Sequence, residues 1–295
     1  MTFYSAGIHL IKLLRRPYLL AATLVGLVSV SLAIFVLDMN HEDTLARYQR
    51  GQALRVGYAI EEPFAMVEAD GRVTGEAPEV LRHALRSLGR ENVVWLQADL
   101  ASLIHELESG RIDIIAAGMF VTPARAQRVL FTRPTATIQP GLLVRYGNPL
   151  HLRSLSHIAA QPTVKLAVID GSVEQQLAHK AALSEAKIQA FPDAAAAAGA
   201  VRTGLADVFM LSFVSLHFLV TRAEAGIFEL VVPDTTRDGN FAGLPAFAMR
   251  LEDKRLRDAI DNALADFLGS PAHLELMRRF GLLDDNIAVA PGISG

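Results

Sequence analysis

With 295 residues, 20% of them charged and a formal net charge of −3, the chain is long enough for one large or two small domains and lacks the basic footprint of a nucleic-acid binder. Hydrophobic residues make up 51%, which excludes a disordered chain. Cysteine is absent, which excludes a disulfide framework, a thiolate metal site, a catalytic thiol and a lipid-linked N-terminal cysteine.

Lys12, Arg15 and Arg16 precede a stretch, Tyr18 to Leu37, of twenty residues without a charge. That is long enough to cross a bilayer as a helix. Asp38, Glu42 and Asp43 follow it, so the charge order puts residues 1–17 in the cytoplasm and the bulk of the chain outside. A cleaved signal sequence is the rival reading. Ser31-Leu32-Ala33 offers a small-x-small site, but the apolar run continues through Ile34-Phe35-Val36-Leu37, which favours a retained anchor. Residues 38–52 are polar and without apolar period, and predict a tether.

Leu54 to Tyr58 then reads as a strand. Pro78 to Leu88 reads as a helix with Val80, Leu81, Ala84, Leu85 and Leu88 on one face, ended by Gly89. Val93 to Leu96 predicts a second strand, and the stripe Leu100, Leu103, Ile104 and Leu107 a second helix closed by Gly110. Residues 112–117 form a branched apolar run that reads as a buried strand. Thr122 and Pro123 announce a helix, threonine as its cap and proline at the first position. Arg125 then falls in the first turn, where the helix dipole disfavours a cation.

A similar order returns further on. Val164 to Ile169 is a strand, and Gly171-Ser172 leads into a helix from Val173, with Gln175 completing a capping box. Ala194 to Val201 predicts a helix and Val208 to Leu211 a strand. Helix, Gly-x-x-Asp, buried strand thus occurs at Gly110 and again at Gly204. Phe247 to Met249 reads as a strand, followed by helices over Lys254 to Leu268 and Pro271 to Phe280 and a short tail. Two α/β lobes of similar plan are the simplest account.

In open α/β sheets, ligands sit beyond the carboxyl ends of the strands, where backbone N–H groups and helix N-termini converge. The residues at those positions are Glu61, Glu62 and Phe64; Phe120, Thr122 and Arg125; Gly171, Ser172 and Val173; and Ser212. The set holds a cation, one or two carboxylates, two aromatic rings and a turn of backbone donors, which suits a small zwitterion. An arginine fork holds a carboxylate by two charge-assisted bonds, a glutamate takes the cationic end, and phenylalanine faces attract a delocalised cation. An anionic ligand would also neutralise Arg125 and the helix end together. Glu61 and Glu62 are adjacent, so at most one is expected to face the ligand.

The plainer readings are structural. Arg125 could serve an intralobe ion pair, the phenylalanines the core, Ser172 a helix cap, and Asp113 and Asp207 the openings of their strands. Trp95 is expected to pack on the sheet. The nine histidines show no metal spacing, and no nucleophile elbow, phosphate loop or dinucleotide fingerprint occurs. No cofactor, metal or catalytic residue is predicted.

The stretches ELESGRIDIIAAGMFVTPARAQRVLFTRP and IDGSVEQQL resemble the family 3 extracellular solute-binding proteins, receptors of amino-acid uptake systems of the ATP-binding-cassette type, over nearly all of residues 53–285. GEAPEV, AAGMFVTPARAQRV, GSVEQQ, FPD and FLGSPAHLELMRRFG are similar to the ectoine and hydroxyectoine-binding branch. The resemblance implies a two-lobed periplasmic-binding-protein fold of type II, with Rossmann-like lobes joined by two crossing strands. Lobe 1 would comprise 53–144 and 234–286, lobe 2 145–233, with 287–295 a flexible tail and an N-terminal transmembrane helix in front. It implies carboxylate binding by Arg125, backbone donors at Gly171–Val173, and acidic and aromatic contacts from Glu61, Phe64 and Phe120. Where amino-acid receptors of this kind carry an aspartate for the α-ammonium, this chain has Ser212. Near Leu100, where the ectoine-binding branch carries a third aromatic, it has none.

The expected function is capture of an ectoine-like solute or amino-acid derivative by lobe closure and its delivery to an ABC permease, by a monomer on the periplasmic face of a bacterial inner membrane. A membrane-anchored sensor or scaffold subunit is the alternative. A dehydratase of small cyclic acids on the same fold would need Glu61 as its acid or base.

Overall fold

The computed structural model describes residues 24–29, 43–234 and 241–282, and the described chain divides between Arg47 and Tyr48 into two units. Of the expected membrane span, residues 24–29 are helical and the rest lies outside the described residues, as do the cytoplasmic segment and the tail. No helix among the described residues is long and apolar enough to cross a membrane. The expected tether is corrected over its second half. A helix, α1 (Thr44–Gln49), forms there, and Tyr48 is buried with its hydroxyl on the carbonyl of Arg90.

From Tyr48 onward the chain builds two five-stranded sheets of one plan. The first has the order β4 (Val93–Gln97), β1 (Leu54–Tyr58), β5 (Ile114–Ile115), β12 (Ala248–Met249), β6 (Leu130–Phe131). The second has the order β9 (Ile188–Phe191), β8 (Leu166–Ile169), β10 (Val208–Ser212), β7 (Pro140–Arg145), β11 (Phe228–Val231). In each, the first three strands run parallel and the fourth is antiparallel to both of its neighbours. A small hairpin, β2 (Met66–Val67) with β3 (Val73–Thr74), lies apart.

The helices between strands are amphipathic: α2 (Glu76–Ser87), for instance, buries Ala77, Val80, Leu81, Ala84 and Leu85. It is followed by α3 (Leu103–Glu108), α4 (Pro123–Ala126), α5 (Leu155–Ala160), α6 (Val173–Lys180), α7 (Ala194–Thr203), α8 (Phe213–Arg222), α9 (Lys254–Phe267) and α10 (Pro271–Arg279).

The first lobe boundary expected at 144/145 is corrected, because Pro140 to Val144 ladder with β10 in the second sheet. The chain therefore crosses before Pro140, next to the bridge between Ile138 and Gly243. The second lobe boundary expected at 233/234 adjoins residues 235–240, which lie outside the described residues.

The repeated Gly-x-x-Asp has one structural job in both sheets. Asp113 Oδ2 accepts from the backbone N–H of Arg55 at 3.0 Å, and Asp207 Oδ2 from that of Lys165 at 2.9 Å, each pinning the start of the neighbouring strand. Asp113 also takes Arg55 Nη2 at 2.8 Å and Arg250 Nη2 at 3.0 Å. Burial alone would raise its carboxyl, but the bonds from Arg55 and Arg250 hold it at about 2. Asp207 pairs with Arg145 at 3.1 Å. Trp95 packs on the sheet, edge-on to Tyr58.

Candidate functional site

In each sheet the order reverses beside the first strand, between β1 and β5 and between β8 and β10. These are the switch points at which open α/β sheets hold ligands. Glu61 and Phe64 follow β1, and Phe120, Thr122 and Arg125 follow β5. Gly171, Ser172 and Val173 follow β8, and Ser212 ends β10. The chain brings the two groups together across the cleft between the sheets.

Arg125 comes from α4, whose cap is Thr122: its Oγ1 accepts from the Arg125 N–H at 3.2 Å. The side chain is buried, at 8% exposure. Its Nη1 donates to the Phe120 carbonyl at 2.7 Å, and its Nη2 crosses the cleft to the Gly171 carbonyl at 2.9 Å. No carboxylate among the described residues lies within ion-pairing distance. Burial pulls its pKa below the usual arginine value, and the charges of Glu174 and Glu61 oppose that fall.

Glu61 crosses in the same direction. Its Oε1 accepts from Ser215 Oγ at 2.9 Å, while Ser212 Oγ, 3.3 Å from the same oxygen, donates to Ser215 Oγ at 2.7 Å. Glu61 borders a groove and is half-buried, and this burial pushes its carboxyl up to about 7 against the serine bonds and Arg125. Its neighbour Glu62 points outward and pairs with Arg222 of the second lobe at 2.7 Å, where both side chains are exposed. Of the adjacent pair, then, Glu61 is the inner one.

The turn after β8 differs from the simple donor nest expected. Ser172 caps α6, accepting from Gln175 N at 3.1 Å, but the box closes one residue early: Gln175 Oε1 takes the N–H of Gly171 at 2.9 Å. The Ser172 N–H bonds to Ile169 O at 3.1 Å. The first two backbone donors are thus engaged within the turn, and the Gly171 carbonyl faces Arg125.

Phe64 and Phe120, 1% and 9% exposed, share an apolar cluster with Val173 and Val214 of the second lobe and Met277 and Phe280 of α10 and its end. Both rings rest on glycines. A Cβ at Gly118, whose φ is +63°, would lie 2.7 Å from Phe64 Cγ, and one at Gly243 would lie 2.3 Å from Phe120 Cε2.

Glu174, in the first turn of α6, is a member of the cleft that the sequence reading missed. It is 3% exposed, and burial followed by the charge of Glu61 pushes its carboxyl up to about 7, with its own N–H, Arg125 and Ser172 opposing. An acidic residue at a helix N-terminus is ordinary, so the sequence gives no signal. Glu76 is a third such group. Fully buried at the start of α2, neither of its carboxyl oxygens finds a donor in hydrogen-bonding geometry, and burial pushes it up to about 7 against the Thr135 side chain. No cluster among the described residues could hold a metal ion.

Beside Glu61 lies a groove of about 680 Å³, walled by the ends of β1 and β4 on one side and of β8 and β9, with α7 and α8, on the other. Arg125, Phe64 and Phe120 do not line it.

The model of the bacterial extracellular solute-binding proteins, family 3, matches residues 54–282. Over 278 residues the chain is 28% identical to the probable amino-acid ABC transporter periplasmic-binding protein y4tE of Sinorhizobium fredii (strain NBRC 101917 / NGR234), covering 92% of this chain and 91% of that protein. The crystal structure of EhuB in complex with hydroxyectoine superposes with a TM-score of 0.76 at 30% identity, over 81% of this chain and 92% of its own. The ancestral amino acid-binding protein AncCDT-1, a precursor of cyclohexadienyl dehydratase, superposes with a TM-score of 0.69 at 26% identity, over 79% and 97% respectively.

Proposed function

The chain belongs to the bacterial extracellular solute-binding proteins of family 3, and on that premise we propose that it captures a small zwitterionic solute, ectoine-like or an amino-acid derivative, between its two lobes. The ligand's carboxylate meets the Arg125 fork in place of the two carbonyl oxygens. Its cationic part meets Glu61, and it reaches the faces of Phe64 and Phe120 as the lobes part, since in the closed form the two rings pack with Val173 and Val214. Thr122 positions Arg125, while Gly171, Ser172, Val173 and Ser212 close from the second lobe.

The observation that carries this reading is a buried arginine without an ion-pair partner among the described residues, reaching across the cleft beside a glutamate that crosses the same way. The likeness to a hydroxyectoine complex supports it. Serine at 212 fits as well, because the carboxylate near it arrives from the opposite lobe as Glu61.

Closure hands the solute to an ABC permease, and the N-terminal segment, through an anchor at 18–37, keeps the receptor on the periplasmic face. A tethered receptor raises its effective concentration at the permease toward the millimolar range. Uptake at low receptor levels should fall when the anchor is cut off; equal uptake by the released form would remove this part.

A thermal-shift screen of ectoine, hydroxyectoine, betaines and the twenty amino acids tests the core of the proposal. A ligand at about 100 times its Kd stabilises by about 2.7 kcal/mol. No shift with any of them overturns the reading, as does unchanged binding in Arg125→Ala. Ligand recovered chemically intact after long incubation separates capture from a dehydratase acting through Glu61.

A further inference from the structure

The groove beside Glu61 is larger than a compact zwitterion needs. At about 680 Å³ it has the volume of a site for a drug-sized ligand. The other flank of the cleft has no such room, since Phe64, Phe120, Val173 and Val214 pack together there.

Apolar side chains supply a continuous part of the wall, Leu100 from the first lobe and Ile169, Ala194, Ala198, Leu219 and Phe228 from the second, while Gln97, Asp99, Asp193 and Arg202 also line the groove. Leu100 packs against the apolar cluster of the second lobe, so the groove takes its shape when the lobes meet. The Glu62–Arg222 pair crosses its rim. Glu61 belongs to both spaces: the serines hold its Oε1, and no described residue donates to its Oε2. The small side chains of α7 and the leucine at position 100 leave open a volume that larger residues would fill.

We propose that this groove is a subsite for an apolar arm, and that the natural ligand is a zwitterion bearing an alkyl or acyl substituent next to its cationic centre. The assignment rests on the reading of Arg125 and Glu61 given above. Glu61 neutralises the cation, the arm runs from it along Leu100, Ala198 and Leu219, and removal of that arm from water adds affinity.

The test is titration calorimetry of the full chain with N,N-dimethyl-N-alkylglycine betaines whose alkyl group grows from methyl to octyl. Affinity should tighten roughly fourfold per methylene until the groove is full. Ala195 is exposed and faces the groove from α7. In Ala195→Trp, and independently in Leu100→Trp from the opposite wall, the octyl-to-methyl affinity ratio should collapse toward one. A ratio near one in the unaltered chain that still binds the methyl homologue overturns the subsite and leaves the compact zwitterion reading standing. A steep ratio that both tryptophan variants retain also overturns it. Failure to bind every homologue, together with ectoine and the amino acids, overturns the reading on which the subsite rests.

Discussion

Arg125 was legible as a functional candidate because it breaks a rule of helix electrostatics. A cation in the first turn needs compensation from outside the helix, and here the compensation is two carbonyl oxygens, one from each lobe. Arg125→Lys keeps the charge and loses the planar fork. It should melt within a few degrees of the unaltered protein yet bind at least tenfold more weakly, as calorimetry would show. The raised carboxyls give a second prediction. Glu61, Glu76 and Glu174 have folded pKa values of about 7 against an ordinary 4.5. The folded chain thus holds more protons than the unfolded one between those limits. The stability these groups lend is complete below about 4.5 and is lost as pH rises through 7, at up to ~1.4 kcal/mol per pH unit for each group. Asp113 acts in the opposite sense: held at about 2, its contribution is present above 3.8 and lost as pH falls through 2. Glu76→Gln, which removes a buried charge without touching the cleft serines, should raise the melting temperature at pH 8. It should also flatten the decline between about pH 5 and 8 and leave the pH 4 value nearly unchanged. An unaltered slope would show that Glu76 stays ionised. Glu174 and Glu76 were not legible beforehand, since burial of a helix-start glutamate is decided by what packs over it.

Among the elements, the helices that were read lie within two residues of the structure at most ends, because apolar spacing and caps are local, but those at Leu155–Ala160 and Phe213–Arg222 were not read. The strands were harder. Residues 112–117 read as one strand, and the ladder is assigned to Ile114–Ile115, while the N–H groups of Asp113 and Ala116 still bond to the carbonyls of Arg55 and Gly57 at 2.7 and 2.9 Å. β7 was not read as a strand, and the expected boundary put Pro140 to Val144 in the first lobe although they ladder in the second sheet. The Gly-x-x-Asp repeat, by contrast, was seen in the sequence and proved to be a strand-start anchor used twice, though not with equal burial. Asp113 is 1% exposed and serves two arginines, whereas Asp207 is 21% exposed and serves one. Asp113→Ala should therefore cost about 3–5 kcal/mol, as expected for a broken buried pair. Asp207→Ala should cost about half of that or less. Urea unfolding of the two variants would compare them directly, and equal losses would contradict the burial argument.

At the scale of the molecule, the polar ties between the lobes among the described residues include Arg125 to Gly171, Glu61 to Ser215, and Glu62 to Arg222. The first two are sheltered and the third sits at the rim in water, so they should weigh differently on closure. Glu62→Arg should weaken ligand binding about two- to fivefold through repulsion of Arg222. The exchange Glu62→Arg with Arg222→Glu should restore it. A double variant no better than the single would show that the rim pair is incidental. The two-lobe plan itself was readable from the repeated order of strand, helix and Gly-x-x-Asp. The approach of Glu61 to Ser212 and Ser215 was not, because it depends on how far the cleft shuts.

The shared plan of the sheets also sets an order of assembly. The second sheet draws all five strands from one continuous stretch, Pro140 to Val231, whereas the first waits for β12 at Ala248. Until that late strand arrives, β5 and β6 have no partner between them and their edges stand bare. A nascent or clipped chain that stops short of residue 248 should complete one half and leave the other adhesive, so that late strand acts as the seal that keeps the product from clumping.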